Sequence, residues 1–180
     1  IDFENIPDTS QANLQTFMKD LYDLFHNNNL LVTQDLPLSD NSVNYSYLST
    51  VNDYVIIMAY DENFAVGAFS GPVASQNWFV TGVQSRFLDI PSSKLVVSIG
   101  NYGYDWITGA ASGQEVSFND VSLIATNTGN KIGYDTTYLN PYLSYTDAKN
   151  QTHNIWFLDG VTALNQVIVS QKNNPAGYAV

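Results

Sequence analysis

Cysteine is absent from the 180 residues, which excludes disulfides and thiolate metal sites. Basic residues are scarce. Six Lys and Arg stand against 17 Asp and Glu, a formal net charge of −11. Nucleic acids and anionic membrane surfaces bind through clustered cations, so neither is expected as a partner. No apolar run approaches the roughly 20 residues that a membrane-spanning helix needs. Charge of both signs together amounts to only 13%, and polarity rests mostly on Asn, Ser, Thr and Tyr. A chain without cysteine suits an exported bacterial protein. What is present is a 44% apolar composition, enough for a large core, in a length that fits one domain.

The pattern alternates strands and helices. "IDFENIP" at residues 1–7 reads as a strand. Leu14, Phe17, Met18, Leu21, Leu24 and Phe25 follow helical spacing, with Ser10 as an N-cap and the Asn run from Asn27 as a stop. "NLLVTQDLP" and "DYVIIMAYD" read as buried strands, the second covered on both faces. A loop, "ENFAVGAFSGPVA", leads to a helix from Ser75 through "QNWFVTGVQSRFLD", and "KLVVSIG" is another buried strand. The rhythm then breaks. "NYGYDWITGAASGQ" reads as loop, "SFNDVSLIAT" as a short helix with Ser117 and Asp120 spaced as a capping box, and "YLSYTDAKNQTHNIWFLD" as two strands about a turn. A helix in "VTALNQVIVSQKN" precedes "GYAV", which starts a strand. Short joins between strands and helices predict a parallel sheet with helical crossovers. Pattern alone leaves an open doubly wound sheet and a closed barrel both open. No Gly-rich phosphate loop follows any strand; "GNYGYD" holds only G-x-x-G.

Residues i and i+2 of a strand share a face. Asp2 and Glu4 therefore face one way, and Ile1 and Phe3 the other. In a barrel the acids would point inward at the C-terminal mouth, where such folds place their active sites. The plainer reading is two ordinary strand-end acids, Asp2 paired with a base and Glu4 capping a loop. "MAYDEN" is similar: Met58 and Tyr60 share a face and Asp61 opens a loop, or the first two are core and the third a turn acid.

Taken together, the two stretches resemble glycoside hydrolase family 18, the chitinase-like enzymes. "IDFE" is similar to the end of that family's D-x-x-D-x-D-x-E motif, of which only the last D-x-E is present. "MAYD" resembles its M-x-Y-D segment. The likeness continues through "GPVAS", "KLVVSIGNYGYDW" and "IWFLDGVTALNQ", which resemble a bacterial branch of spore-cortex-type glucosaminidases and of family 18 domains fused to polysaccharide deacetylase and glycosyltransferase modules. The resemblance implies an α/β chain forming part of a TIM (β/α)8 barrel, from its fourth to its eighth strand. Parallel strands are expected at ~1–4, ~30–36, ~54–60, ~94–100 and ~177–180. An insertion before the seventh helix is expected over about 113–159. The chain as a whole is then one truncated catalytic domain of a longer protein, inactive by itself and fused in its parent to modules of those two kinds.

The same resemblance implies a mechanism. Family 18 enzymes retain configuration through attack by the substrate's own 2-acetamido group. Glu4 corresponds to the general acid and Asp2 to the residue that orients the acetamido group and stabilises the oxazolinium ion. Tyr60 corresponds to a donor to the acetamido oxygen. Asp61 and Met58 correspond to substrate-binding positions. A carboxylate beside another opposes loss of the neighbour's proton, which is the condition a general acid needs. Tyr102, Tyr104 and Trp106 follow a strand end and offer stacking faces for sugars. Trp156 and Asp159 read as structural. His26 and His153 are isolated in sequence, so no metal is expected, and no cofactor. The implied partner is a polysaccharide containing N-acetylglucosamine, met outside the cytoplasm; a catalytically inactive, lectin-like domain is the alternative.

Overall fold

A computed structural model of the chain describes residues 1–67 and 69–180. The loop expected between Glu62 and Ala74 includes Ala68, which lies outside the described residues. The chain packs as two units. One comprises Ile1–Ala59, Thr81–Ile99 and Ser170–Ala179; the other comprises Tyr60–Val80, Gly100–Val169 and Val180.

The first unit holds a parallel sheet of β1 (Thr33–Pro37), β2 (Tyr54–Met58), β3 (Leu95–Ser98) and β9 (Gly177–Ala179), in the order β1-β2-β3-β9. Four of the five expected strands thus form, in the expected order. The fifth is reduced to one parallel bridge, Asp2 to Asp35, on the outer side of β1. The described residues form no closed barrel. Alternation along the strands divides the sheet. Leu36, Ile57, Val97 and Val55 are buried on one face. Asp35, Ile56, Met58 and Val96 on the other are only half-buried, so β2 is not covered on both sides as its apolar run suggested.

Helix α1 (Gln11–His26) buries Leu14 and Met18, as the spacing predicts, and stops at Asn27. Ser10 occupies the N-cap position without a side-chain cap bond, because a 3-10 turn over Asp8–Ser10 leads into the helix. A six-residue helix, α2 (Tyr45–Thr50), was not legible in the apolar pattern; Asn44 caps it by accepting the Tyr47 N–H. Helix α3 (Gln76–Asp89) approaches the chain beyond β1 at Gly82, where a Cβ would stand 2.5 Å from Leu38 Cδ2. A glycine inside a helix is unfavourable, and here close approach demands it.

The second unit holds an antiparallel sheet. Its strands are β4 (Tyr102–Ile107), β5 (Gly113–Ser117), β6 (Gly133–Asp135), β7 (Asn140–Thr146) and β8 (Thr152–Phe157), in the order β5-β4-β8-β7-β6. The β7–β8 hairpin turns at residues 147–151 as expected. The segment expected as loop, "NYGYDWITGAASGQ", instead carries β4 and the start of β5. Its Tyr102, Tyr104 and Trp106 alternate with Gly103 and Asp105, a period-2 signal that the glycines obscured. Helix α4 (Phe118–Thr128) starts with the expected reciprocal cap, Ser117 Oγ accepting the Asp120 N–H and the Asp120 carboxylate accepting the Ser117 N–H. Its Val121 packs with Leu143, Ile155 and Phe157 on one sheet face. Helix α5 (Gly160–Ser170) follows Asp159, whose carboxylate accepts the Thr162 N–H and hydroxyl.

The two histidines are paired in space although isolated in sequence. His26 Nε2 lies 3.0 Å from Asp53, and His153 Nδ1 lies 2.9 Å from Asp105. Among the described residues no three His, Cys, Asp or Glu side chains group as a metal site would require.

Candidate functional site

In the first unit the bridge sets Asp2 beside Asp35, with the Asp35 N–H donating to the Ile1 carbonyl at 2.9 Å. Register then aligns Asp35 with Ile56, Ile56 with Val96 and Val96 with Gly177. Directly paired residues share a face, so Asp2 stands at the end of a row on the half-buried side of the sheet. Met58 belongs to the next row of the same face, aligned with Pro37 and Ser98. Glu4 follows the bridge, exposed and outside any strand, and Asn5 after it adopts a left-handed φ of 55°. The strand expected to carry both acids is thus formed only at Asp2.

Asp35 was missed from sequence. It sits in "TQDLP", an acid in a segment that reads as a buried strand, and that misfit is the available signal. Burial pushes its carboxyl up from the ordinary range, and the neighbouring Asp2 adds to the effect.

In the second unit Asp61 is the centre of a polar cluster. It turns the chain after Tyr60 with φ of 64°, a conformation that Asp tolerates better than bulkier residues. Two hydroxyls donate to the same oxygen, Asp61 Oδ1: Tyr102, in a short bond, and Tyr104 at 3.0 Å. The two tyrosines are residues i and i+2 of β4 and so lie on one face. Burial, and after it Asp61, pushes the Tyr104 hydroxyl up to about 12. The same two causes drive the Tyr102 hydroxyl higher still. Both phenols therefore keep their protons across the neutral range.

Aromatic packing sustains the cluster. Tyr60 meets Tyr102 edge-on with ring centroids 5.9 Å apart, Tyr102 meets Tyr104 at 5.4 Å, and Tyr104 meets Trp106 at 5.5 Å. Trp106 is 3% exposed. Its ring backs Tyr104 within the core of Val73, Ala74 and Leu158 and offers no open face for a sugar. The "GPVAS" segment explains itself here. Pro72 O accepts from Asn63 Nδ2 at 2.9 Å, Val73 O accepts from the Glu62 N–H at 2.8 Å, and the Ser75 N–H donates to the Glu62 carboxylate at 2.6 Å. These bonds close the loop that follows Asp61.

The structure therefore brings Tyr60, Asp61, Tyr102 and Tyr104 together in the second unit. It brings Asp2 to Asp35, with Met58 on the same sheet face, in the first. Tyr104 as a partner of Asp61 was not read from sequence, because nothing in "YGYDW" tells which side chain its hydroxyl meets.

No protein-family model matches the chain. Individual proteins do. A Bacillus subtilis protein named as a sporulation-specific glycosylase, YdhD, is 29% identical over 169 residues, 88% of this chain and 40% of its own length. Its crystal structure superposes with a TM-score of 0.90 at 25% identity, covering 97% of this chain and 62% of that one. The cortical fragment-lytic enzyme of B. subtilis is 27% identical over 176 residues, 88% of this chain and 39% of its own. The chain resembles the chitinase-like glycoside hydrolases of family 18, in their spore-cortex branch. A chitinase from Chromobacterium violaceum shares the fold, with a TM-score of 0.91 at 21% identity over 99% of this chain and 58% of the chitinase. The chain spans about 40% of the length of the curated relatives it matches.

Proposed function

We propose that this chain carries the acid–base strand end and part of the sugar-binding wall of a glycoside hydrolase. Its substrate is a polysaccharide containing N-acetylglucosamine, either peptidoglycan or a chitin-like polymer. The observation that carries the reading is sequence likeness to glycosylase and cortex-lytic enzymes over 88% of the chain, with Asp2, Glu4 and Asp61 all present. Such polymers lie outside the cytoplasm, and the protein is assigned there with them. Deacetylase or glycosyltransferase modules are its expected fusion partners.

In the proposed reaction Glu4 donates a proton to the glycosidic oxygen as the bond to the anomeric carbon breaks. The carbonyl oxygen of the substrate's acetamido group attacks the same carbon and forms an oxazolinium ion. Asp2 orients the acetamido N–H and balances the positive charge. Tyr60 donates to the acetamido oxygen, Met58 packs beneath the sugar, and Asp61 accepts from a sugar donor. Water then attacks the anomeric carbon, giving its proton to Glu4, and the configuration is retained. No group outside the chain and its substrate is needed.

The test is Glu4→Gln in the full-length protein. The amide keeps the shape and removes the proton, so turnover falls at least ~100-fold while glycan affinity stays nearly constant. Ordinary activity in this variant would refute Glu4 as the acid. Binding without hydrolysis by the unmutated protein would establish the lectin-like alternative instead.

A further inference from the structure

We propose that Tyr102 and Tyr104 are a positioning clamp for Asp61, occupying one carboxylate oxygen and reserving the other as a single acceptor for an O–H or N–H of the bound sugar. The proposal rests on the glycan-site reading above and gives it a specificity element.

The geometry points to this division of labour. Both phenols donate to Oδ1, and Oδ2 takes no part in these bonds. A carboxylate held by one donor can swing about its Cβ–Cγ bond. One held at the same oxygen by two donors approaching from neighbouring positions of one strand cannot swing without breaking both. The donors are themselves fixed. Their rings meet at 79°, Trp106 is buried behind Tyr104, and Gly103 between them is locked in register with Phe157. The left-handed turn at Asp61 fixes the other end.

The clamp also fixes the chemistry. The phenols are held protonated by burial and by Asp61, so each keeps the hydrogen that it donates to Oδ1. An ionised carboxylate only accepts. Oδ2 therefore selects a ligand group that carries a hydrogen, such as a sugar hydroxyl or the acetamido N–H. It rejects a sugar with an ether or a second carboxylate there, because the acceptor, covered by the bound sugar, would be left unpaired. Tyr102, expected from sequence to contact sugar by its face, is assigned a different task, and Tyr104 joins it.

The experiment uses the full-length protein carrying Glu4→Gln, so that glycan is bound and not cut, with the tetramer of N-acetylglucosamine as probe in a calorimeter. Tyr104→Phe keeps the ring and removes the donor, and weakens binding roughly tenfold. Asp61→Ala weakens it at least as much. In the Asp61→Ala background Tyr104→Phe has no further effect, because its role runs only through Asp61. Losses that multiply would mean that Tyr104 touches the sugar directly and would overturn the clamp. A second readout needs no ligand. By carbon-13 NMR of the Tyr104 phenol, the Asp61→Ala variant titrates at lower pH than the parent, since Asp61 raises the phenol's value in the parent. An unchanged titration overturns the clamp whatever the ligand. Absence of probe binding by the parent would count against the glycan reading, and the NMR titration then decides the clamp alone.

Discussion

Asp61 shows what a single position owes to its sequence and what it owes to the fold. Its place after "MAY" made it a candidate from sequence, but the two phenols that hold it come from a strand some 40 residues on. Trp106 went the other way. Its type and its loop-like surroundings suggested an open ring, yet β4 turns it into the core. Such side-chain directions depend on strand parity, and a segment that reads as loop, as "YGYDWI" does, has no parity to assign. Gly103, between the two tyrosines, is the most constrained of these residues. A Cβ there would stand 2.5 Å from the Trp156 carbonyl oxygen and would also collide with Phe157. Both obstacles belong to the paired strand, so no flexible side-chain end can give way. Gly103→Ala is expected to lower stability by about 1–3 kcal/mol and to weaken glycan binding through displaced Tyr102 and Tyr104. Thermal melting and calorimetry of the variant check both; a wild-type melting temperature would contradict the packing described.

Elements with strong local signals were legible. Helix α1 declared itself by spacing, helix α4 by its cap, and β7 and β8 by the turn between them. Elements that depend on partners were not. The strand at the start of the chain shrinks to one bridge, to Asp35 of β1. The β7–β8 turn yields a prediction of its own. The Asp147 carboxylate accepts the Lys149 N–H at 2.9 Å and the Gln151 N–H at 2.8 Å. The Gln151 bond is the main cause that holds its carboxyl below the ordinary range, with Lys149 and His153 adding to it. A carboxyl whose folded value lies below its unfolded value of roughly 3.9 stabilises the turn fully above that value. The contribution disappears as pH falls through the lower, folded value. Asp147→Asn should therefore melt below the parent at pH 6, and the gap should close toward pH 2. A gap that stays constant over that range would show that the carboxylate's charge is not what holds the turn.

For the whole molecule, composition excluded more than it identified. A net charge of −11 argued against nucleic acid, and the motifs then carried the likeness to glycosidases that the comparisons bear out. The parallel sheet has β9 at one edge and β1, with its single bridge to Asp2, at the other. Open strand edges are templates for association. The 19.9 kDa chain is therefore expected to self-associate in solution. Sedimentation or light scattering checks this, and a monomer with a cooperative melt would contradict it.

The central claim is hydrolysis assisted by the substrate's own acetamido group. In the proposed reaction Asp2 and Glu4 act on the sugar from one wall, whereas a carboxylate nucleophile must approach from the face opposite the acid. The most direct measurement gives the full-length protein two matched oligosaccharides, one acetylated and one de-N-acetylated at the cleavage site, and follows products and protein mass together. The account predicts cleavage of the acetylated sugar only, with no covalent sugar on the protein. Cleavage of the deacetylated sugar, or a sugar adduct on Asp61, would contradict it and would make the enzyme a conventional two-carboxylate glycosidase.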